Sequence, residues 1–340
     1  MRDSRPSLYT PLISAVLAAL ILPTSRVHAA EAEAAEQKPL PVAIVDALNK
    51  LSGGPHAGYR ANHAKGVLVT GSFTPAAGAK AMSKAAQFSK TVPVLVRFSN
   101  ATGLPTMPDA DGGASPHGMA IRFQLAGGAS TDIVAISANG FPVATPEEFR
   151  DLLQAAGASG PEAKRPTPIE QFLGSHPAAL AFVTAPRPAP ASFGTLAFYG
   201  VNAFKFTNAK GTERYIRYQI LPVAGEAALD AADSAKVGPN YLIEELPQRI
   251  AKGAVKFRLM AQLAQEGDSL TDGTQVWPAT RELVELGVLS LAKTPAEQVL
   301  AQKKLLFNPL SLTAGIEPSD DPVLLARPAA YGVSYAQRAR

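Results

Sequence analysis

Short runs of β-branched and aromatic residues, each cut off by Gly, Pro or Asp, fill the first half of this chain. They cover residues 66–74 (GVLVTGSFT), 92–99, 118–125 and 131–136. Runs this brief and this punctuated read as strands joined by turns. The pattern resumes further on, where 194–207 and 213–221 flank Asn208-Ala209-Lys210-Gly211, a sequence suited to a hairpin turn. In 255–263, Val255, Phe257, Leu259, Ala261 and Leu263 alternate with Lys256, Arg258, Met260 and Gln262, a period of two that predicts a strand. Helices are fewer. Thr145, Pro146, Glu147 and Glu148 read as N-cap, first-turn proline and acidic first turn of a helix over 145–156. Further helices are expected over 295–304, opened by Thr294, and over 330–338. The proline-rich stretch 185–190 reads as a surface loop, not a domain linker.

The N-terminus has the anatomy of a targeting segment. Arg2 and Arg5 precede an apolar run over 12–22, and Val27-His28-Ala29 forms a small-x-small site. Residues 1–29 are therefore expected to be a secretory signal peptide, cleaved after Ala29, since the run is too short to span ~30 Å of hydrocarbon comfortably. No membrane span is expected after cleavage, and the expected location is periplasmic or secreted. Residues 30–41, polar and alanine-rich, read as a flexible mature N-terminus, followed by a single domain over 42–340. The formal charge of +4 shrinks once Arg2, Arg5 and Arg26 leave with Asp3. With no run of basic residues interleaved with aromatics, no nucleic-acid partner is expected.

Cysteine is absent from all 340 residues. That excludes disulfides, thiolate nucleophiles, zinc–cysteine and iron–sulfur sites, thiolate-ligated haem and haem attached through C-x-x-C-H. His56, His63, His117 and His176 remain after the signal segment, in neither H-x-H nor H-E-x-x-H spacing. There is no G-x-S-x-G elbow and no phosphate-cradling G-x-x-x-x-G-K loop. Pattern alone thus describes a secreted antiparallel β protein with accessory helices, without naming a chemistry.

Several segments, in order, resemble the catalase family. They are Arg60-Ala61-Asn62-His63-Ala64-Lys65-Gly66, Val96-Arg97-Phe98-Ser99, and His117-Gly118-Met119-Ala120-Ile121-Arg122-Phe123. Asp132-Ile133-Val134 follows, leading to Asn139 and Pro142, and then Tyr199-Gly200-Val201-Asn202-Ala203-Phe204-Lys205-Phe206. Val276-Trp277-Pro278, Phe307-Asn308-Pro309, the run from Gly315 to Pro322, and Arg327 four residues before Tyr331 complete the series. The resemblance implies an α+β fold, a catalase-like eight-stranded antiparallel β-barrel with accessory helices enclosing a haem, and haem b as the cofactor.

The family's roles fall on particular residues here. Tyr331 corresponds to the axial ligand of the haem iron, and Arg327 to the arginine beside it. A phenol titrates near pKa ~10, so a ligating phenolate needs Fe(III) and a fixed cation, and spacing i−4 on a helix puts Arg327 on the face of Tyr331. His63 corresponds to the distal histidine, which as a neutral imidazole can both take and return a proton. Ser99 would hold that imidazole, and Asn139 would donate a hydrogen bond to the peroxide, with Asn100 as the alternative amide. Arg60, Arg97 and Arg338 match positions that pair with haem propionates, which favour bidentate arginine partners. Phe149 is expected to line the haem.

The chain also departs from a typical catalase. Only about thirty mature residues precede His63, and few follow Arg338. His117 and Tyr335 are further positions where a full-length member is expected to differ. The resemblance is strongest to small catalase-related peroxidases, which implies reduction of hydrogen peroxide, and of organic hydroperoxides where they fit, by a small organic reductant, with weak catalase activity. A true catalase of minimal size and a non-enzymatic haem carrier are the alternatives, with a lipid-hydroperoxide rearranging enzyme behind them. A homodimer stays open.

Overall fold

Among the described residues nine strands build one antiparallel sheet, and their alternation explains which side chains enter the core. They are β1 (Gly66–Pro75), β2 (Val92–Ser99), β3 (Gly118–Gln124), β4 (Ser130–Ile136), β5 (Phe198–Thr207), β6 (Glu213–Pro222), β7 (Val255–Leu263), β8 (Leu283–Lys293) and the short β9 (Ile316–Pro318). This computed structural model describes residues 38–338; the expected signal peptide and residues 30–37 of the expected flexible arm lie outside the described residues. The sheet runs β4-β3-β2-β1-β8-β7-β6-β5-β9, and a bridge between Ile136 of β4 and Tyr199 of β5 closes the first eight strands into a barrel. Closure removes the open edges that would otherwise template aggregation.

Aromatic residues fill the barrel. On β2, Val92, Val94, Val96 and Phe98 point inward, and on β7 Val255, Phe257, Leu259, Ala261 and Leu263 do the same. Phe73, Phe88, Phe98, Phe123, Phe193, Phe198, Phe206 and Phe257 are all fully buried, with Phe73 edge-on to Phe123 at 5.2 Å between centroids. At about 1.5–3 kcal/mol for each large apolar side chain removed from water, this cluster is the main favourable contribution to the fold.

The helices are α1 (Leu40–Leu51), α2 (Pro146–Gly157), α3 (Pro168–Ser175), α4 (Pro177–Thr184), α5 (Tyr241–Lys252), α6 (Gln298–Lys304) and α7 (Pro322–Arg338), with single helical turns at Ala79–Met82 and Ala231–Ser234, and α5 packs Leu242, Leu246 and Ile250 into the same core as the inward-facing strand residues. None of the described helices is long and apolar enough to cross a membrane. The expected capping of α2 is present: the Thr145 side chain accepts from Glu148 N–H, and the Glu148 carboxylate accepts from Thr145 N–H.

Several boundaries differ from expectation. α1 already begins at Leu40, inside the segment read as flexible. The strand expected from 194 begins at Phe198, behind a tight turn at Phe193–Thr195. α6 starts at Gln298, not at 295, because β8 runs on to Lys293 and leaves Thr294 in the connection. α7 starts two turns before Ala330. Its first N–H groups, on Val323 and Leu324, are satisfied by the Asp321 carboxylate, and Pro328 is accommodated inside the helix. The helices α1, α3, α4 and α5 and the strands β8 and β9 are not among the expected elements, although Thr167-Pro168-Ile169-Glu170 opens α3 with the same kind of capping box as α2.

Candidate active site

The strand register assembles one wall of a cavity. Gly66 pairs with Ser99, Ser99 with Gly118, Gly118 with Ile136, and Ile136 with Tyr199, so one row crosses five strands at one end of the barrel. Ser99 and Arg97 alternate with the inward-facing Phe98 and Val96, so they point outward. The cavity therefore lies on the outer face of the barrel, between β2 to β5 and the helices α1, α2 and α7, while the barrel interior holds the apolar core. It offers about 240 Å³ to the centres of water molecules.

His63 enters from the loop before β1 with φ of 55°, the left-handed region that few side-chain-bearing residues occupy. Its backbone N–H bonds the Ala101 carbonyl at 3.3 Å, and its Nδ1 lies 3.1 Å from Ser99 Oγ. Burial, then the nearby Arg97 charge, depress its pKa to about 3, against a hydrogen bond to the Asn100 backbone that works the other way. The imidazole is thus neutral at physiological pH. Gly118 makes room for it, since a Cβ there would stand 2.8 Å from both His63 Nδ1 and Ser99 Oγ. Gly118→Ala is accordingly expected to displace the ring and cost about 1–3 kcal/mol as an overpacked site. Denaturant midpoints, with the peroxide reaction followed in parallel, check this.

Helix periodicity builds the opposite wall. Arg327, Tyr331, Ser334 and Arg338 recur at steps of four, three and four along α7 and all line the cavity. Arg327 donates to the Tyr331 phenol oxygen through Nε at 3.2 Å and Nη2 at 2.9 Å. Its Nη1 donates to Asn202 Oδ1 at 2.7 Å, and Asn202 Nδ2 donates to Asp321 Oδ2 at 2.7 Å. Two cationic N–H donors aimed at the phenol oxygen match the charge that oxygen carries as a metal ligand. The carboxylate holding this chain of hydrogen bonds is the one that caps α7, so the helix start and the guanidinium are positioned together.

Arg60, Arg97 and Arg338 converge on the same cavity from three distant parts of the chain. Arg60 donates to the Leu305 carbonyl at 2.8 Å, Arg97 to Gln302 Oε1 at 2.7 Å and the Ala64 carbonyl at 3.0 Å, and Arg338 to the Leu305 carbonyl. Among the described residues, no carboxylate bonds any of the three, and the buried Nε of Arg338 has no partner. Burial and mutual repulsion push the pKa of each of the first two guanidiniums down. Arginine does not discharge under such pressure, so the cluster calls for an anion. Two carboxylates of a haem fit that demand, and the phenol of Tyr331 fits the iron. Arg60→Gln is expected to leave the haem-free protein as stable as the parent or more so, while weakening haem retention by about 10-fold or more. Chemical denaturation of the haem-free form and haem transfer to an acceptor protein measure the two effects separately.

The structure thus gathers His63, Ser99, Arg60, Arg97, Arg327, Tyr331, Arg338 and Phe149 around one cavity. The two expected amides are elsewhere. Asn139 is exposed and outside the cavity lining. Asn100 is fully buried, with Nδ2 donating to Asp109 Oδ1 at 2.8 Å and Oδ1 lying 3.2 Å from His117 Nδ1. The loop after β4 carries Asn139 past the cavity, and Asn100, next in the chain to Ser99, points to the opposite side. Asn62, Asn202 and Ser334 also line the cavity, and the sequence pattern does not mark them. The first two lie inside the motifs that carry the resemblance, but nothing local distinguishes the asparagine of a motif that faces a ligand from one that does not.

A family model described as Catalase matches residues 56–340. A catalase-related peroxidase of Mycolicibacterium paratuberculosis is 36% identical over 88% of this chain and 94% of its own length. One from Synechococcus elongatus is 33% identical over 84% of this chain and 85% of its own. The catalase of Sus scrofa is 28% identical, with 56% of its length covered. A crystal structure of a fungal catalase shares the fold, with a TM-score of 0.73 at 23% identity, covering 99% of this chain and 66% of that one. The order of motifs along the chain, the closed barrel and the extent of the family match agree, and the chain belongs to the catalase family, a family of haem-binding enzymes that act on peroxide.

Proposed function

We propose that this chain is a periplasmic peroxidase that holds haem b in the cavity and reduces hydrogen peroxide with a small organic donor, evolving oxygen only weakly. The observation that carries this reading is that one cavity is faced both by the His63–Ser99 pair and by the Arg327–Tyr331 pair. The relatives named catalase-related peroxidases exceed 30% identity, whereas those named catalases fall below it. A carrier needs the tyrosine but has no use for a neutral histidine held in the left-handed backbone region beside Ser99.

Haem, when bound, would supply the iron that polarises peroxide and hold the two oxidising equivalents taken from it until electrons from the organic donor reduce it again. The rest is the work of this chain. Tyr331 would hold the iron, and Arg60, Arg97 and Arg338 would hold the carboxylates. With His63 Nδ1 held beside Ser99, Nε2 is the nitrogen left to take the proton from one peroxide oxygen and return it to the other as water leaves. The apolar lining contributed by Ile44, Val45 and Leu48 of α1 and by Phe149 of α2 excludes bulk water, which strengthens every polar contact inside.

Secretion rests on the N-terminal pattern of Arg2 and Arg5, the apolar run and Val27-His28-Ala29. Mass spectrometry of protein recovered from a periplasmic extract should find Ala30 as the first residue. For the activity, oxidation of a small aromatic donor and oxygen evolution are measured on the same haem-replete sample. Donor turnover should be readily measured at peroxide levels where oxygen evolution is slow. Dominant oxygen evolution with no oxidation of bulky donors would mark a compact catalase instead.

A further inference from the structure

We infer that Asn62, not Asn139, supplies the amide that hydrogen-bonds an oxygen or anionic ligand held on the His63 side of the cavity. The inference deepens the haem peroxidase reading and rests on it. A ligand facing His63 needs a second, neutral donor, because another cation would add to the charges of Arg60, Arg97 and Arg338 already gathered around the cavity. An asparagine side chain meets that need with two N–H groups and no charge.

Elimination among the asparagines around the cavity leaves one. Asn202 lines it, but both ends of its amide are engaged, by Arg327 and by Asp321. Asn100 is engaged by Asp109 and His117. Asn139 is exposed and does not reach the cavity. Asn62 lines the cavity beside His63 in the chain, is half-buried, and makes no side-chain hydrogen bond to any group among the described residues. Its half-buried amide is therefore free to bond what enters the cavity, without first breaking a bond within the protein.

The backbone around Asn62 is fixed on both sides. Ala61 N–H donates to Ser334 Oγ of α7 at 3.1 Å, which ties the loop to the helix that bears Tyr331. His63 N–H and Ala64 N–H bond the Ala101 and Thr102 carbonyls at 3.3 and 3.0 Å. A donor carried between two anchored residues needs no rearrangement when charge arrives, which is the arrangement that makes such a donor effective.

Fluoride, a small anion that binds ferric haem and reports hydrogen-bond donors around it, is the probe. Fluoride affinity is titrated by haem absorption in the haem-loaded wild type and in Asn62→Leu, Asn62→Ala and Asn139→Ala. Affinity should fall by about 10- to 100-fold in both Asn62 variants, the loss expected for one hydrogen bond to a charged acceptor, and stay within about twofold in Asn139→Ala. Unchanged affinity in the Asn62 variants, or a fall in Asn139→Ala, overturns the assignment. Loss of haem from both Asn62 variants also overturns it, marking the residue as structural. A wild type that binds no haem overturns the underlying reading instead, so the two failures are told apart.

Discussion

Replacing His63 by alanine is expected to leave haem bound while slowing its reaction with peroxide by about 10²- to 10⁴-fold, the range that positioned acid–base transfer contributes. Stopped-flow absorption after mixing with peroxide measures the rate. A loss far below 10-fold would favour the haem-carrier reading, in which His63 has no task. The pH profile carries a second signature. The base form of His63 is the neutral one, and its pKa sits at about 3 because of burial and the Arg97 charge. The reaction should therefore stay flat as pH falls past 6.5, where an exposed histidine would protonate, and decline only as pH drops through about 3. The same shift affects stability with a definite sign. Between about 6.5 and 3 the unfolded chain binds a proton at this site that the folded chain refuses, so the contribution of His63 is full above 6.5 and is lost as pH falls toward 3. His117, buried and depressed to about 4, adds to this loss in the same direction. Denaturant midpoints across this pH range should fall with acidification, and less so in His117→Asn.

Tyr331→Phe is expected to have the larger effect on the cofactor. It removes the oxygen that accepts from Arg327 Nε and Nη2 and deletes the only phenol that α7 presents to the cavity. Changes one shell out from a metal typically cost about 10- to 100-fold in affinity, so loss of the ligand itself should exceed that range. Purified wild type should show a high-spin ferric tyrosinate spectrum. The variant should lose haem or lose that spectrum, and peroxide turnover should drop to background. The Arg327 guanidinium would then face an apolar ring edge, still held by Asn202, so the fold should survive with Arg327 intact. Retention of a wild-type spectrum in Tyr331→Phe would remove Tyr331 from the site.

The elements legible in the sequence share a property: each is specified within a few residues. The Thr145–Glu148 capping box, the alternation from Val255 to Leu263, and the turn in which Asn208 Oδ1 accepts from Lys210 and Thr212 N–H are all local. β8 is not legible because a bulge interrupts it. Leu259 pairs with Gly287 and Met260 with Glu285, so Leu286 is extra and the alternation changes phase in mid-strand. The start of α7 is masked by Pro328, a residue type that normally marks a helix boundary, although Asp321 caps the helix seven residues earlier. In the site, spacing alone pairs Arg327 with Tyr331 because one helix carries both.

Spacing by itself determined the period of the strands and the facing of Arg327 and Tyr331, and the absence of cysteine determined that no thiolate could ligate a haem iron. The tertiary structure alone decided that Ile136 meets Tyr199 to close the barrel, and that the cavity lies outside it. It also decided that Arg60, Arg97 and Arg338 meet, and that Asn62 reaches the cavity while Asn139 does not. The reason is register. A one-residue shift in strand pairing moves a side chain to the other face of the sheet, and that register is set by the packing of eight buried phenylalanines from across the chain, which no short window contains.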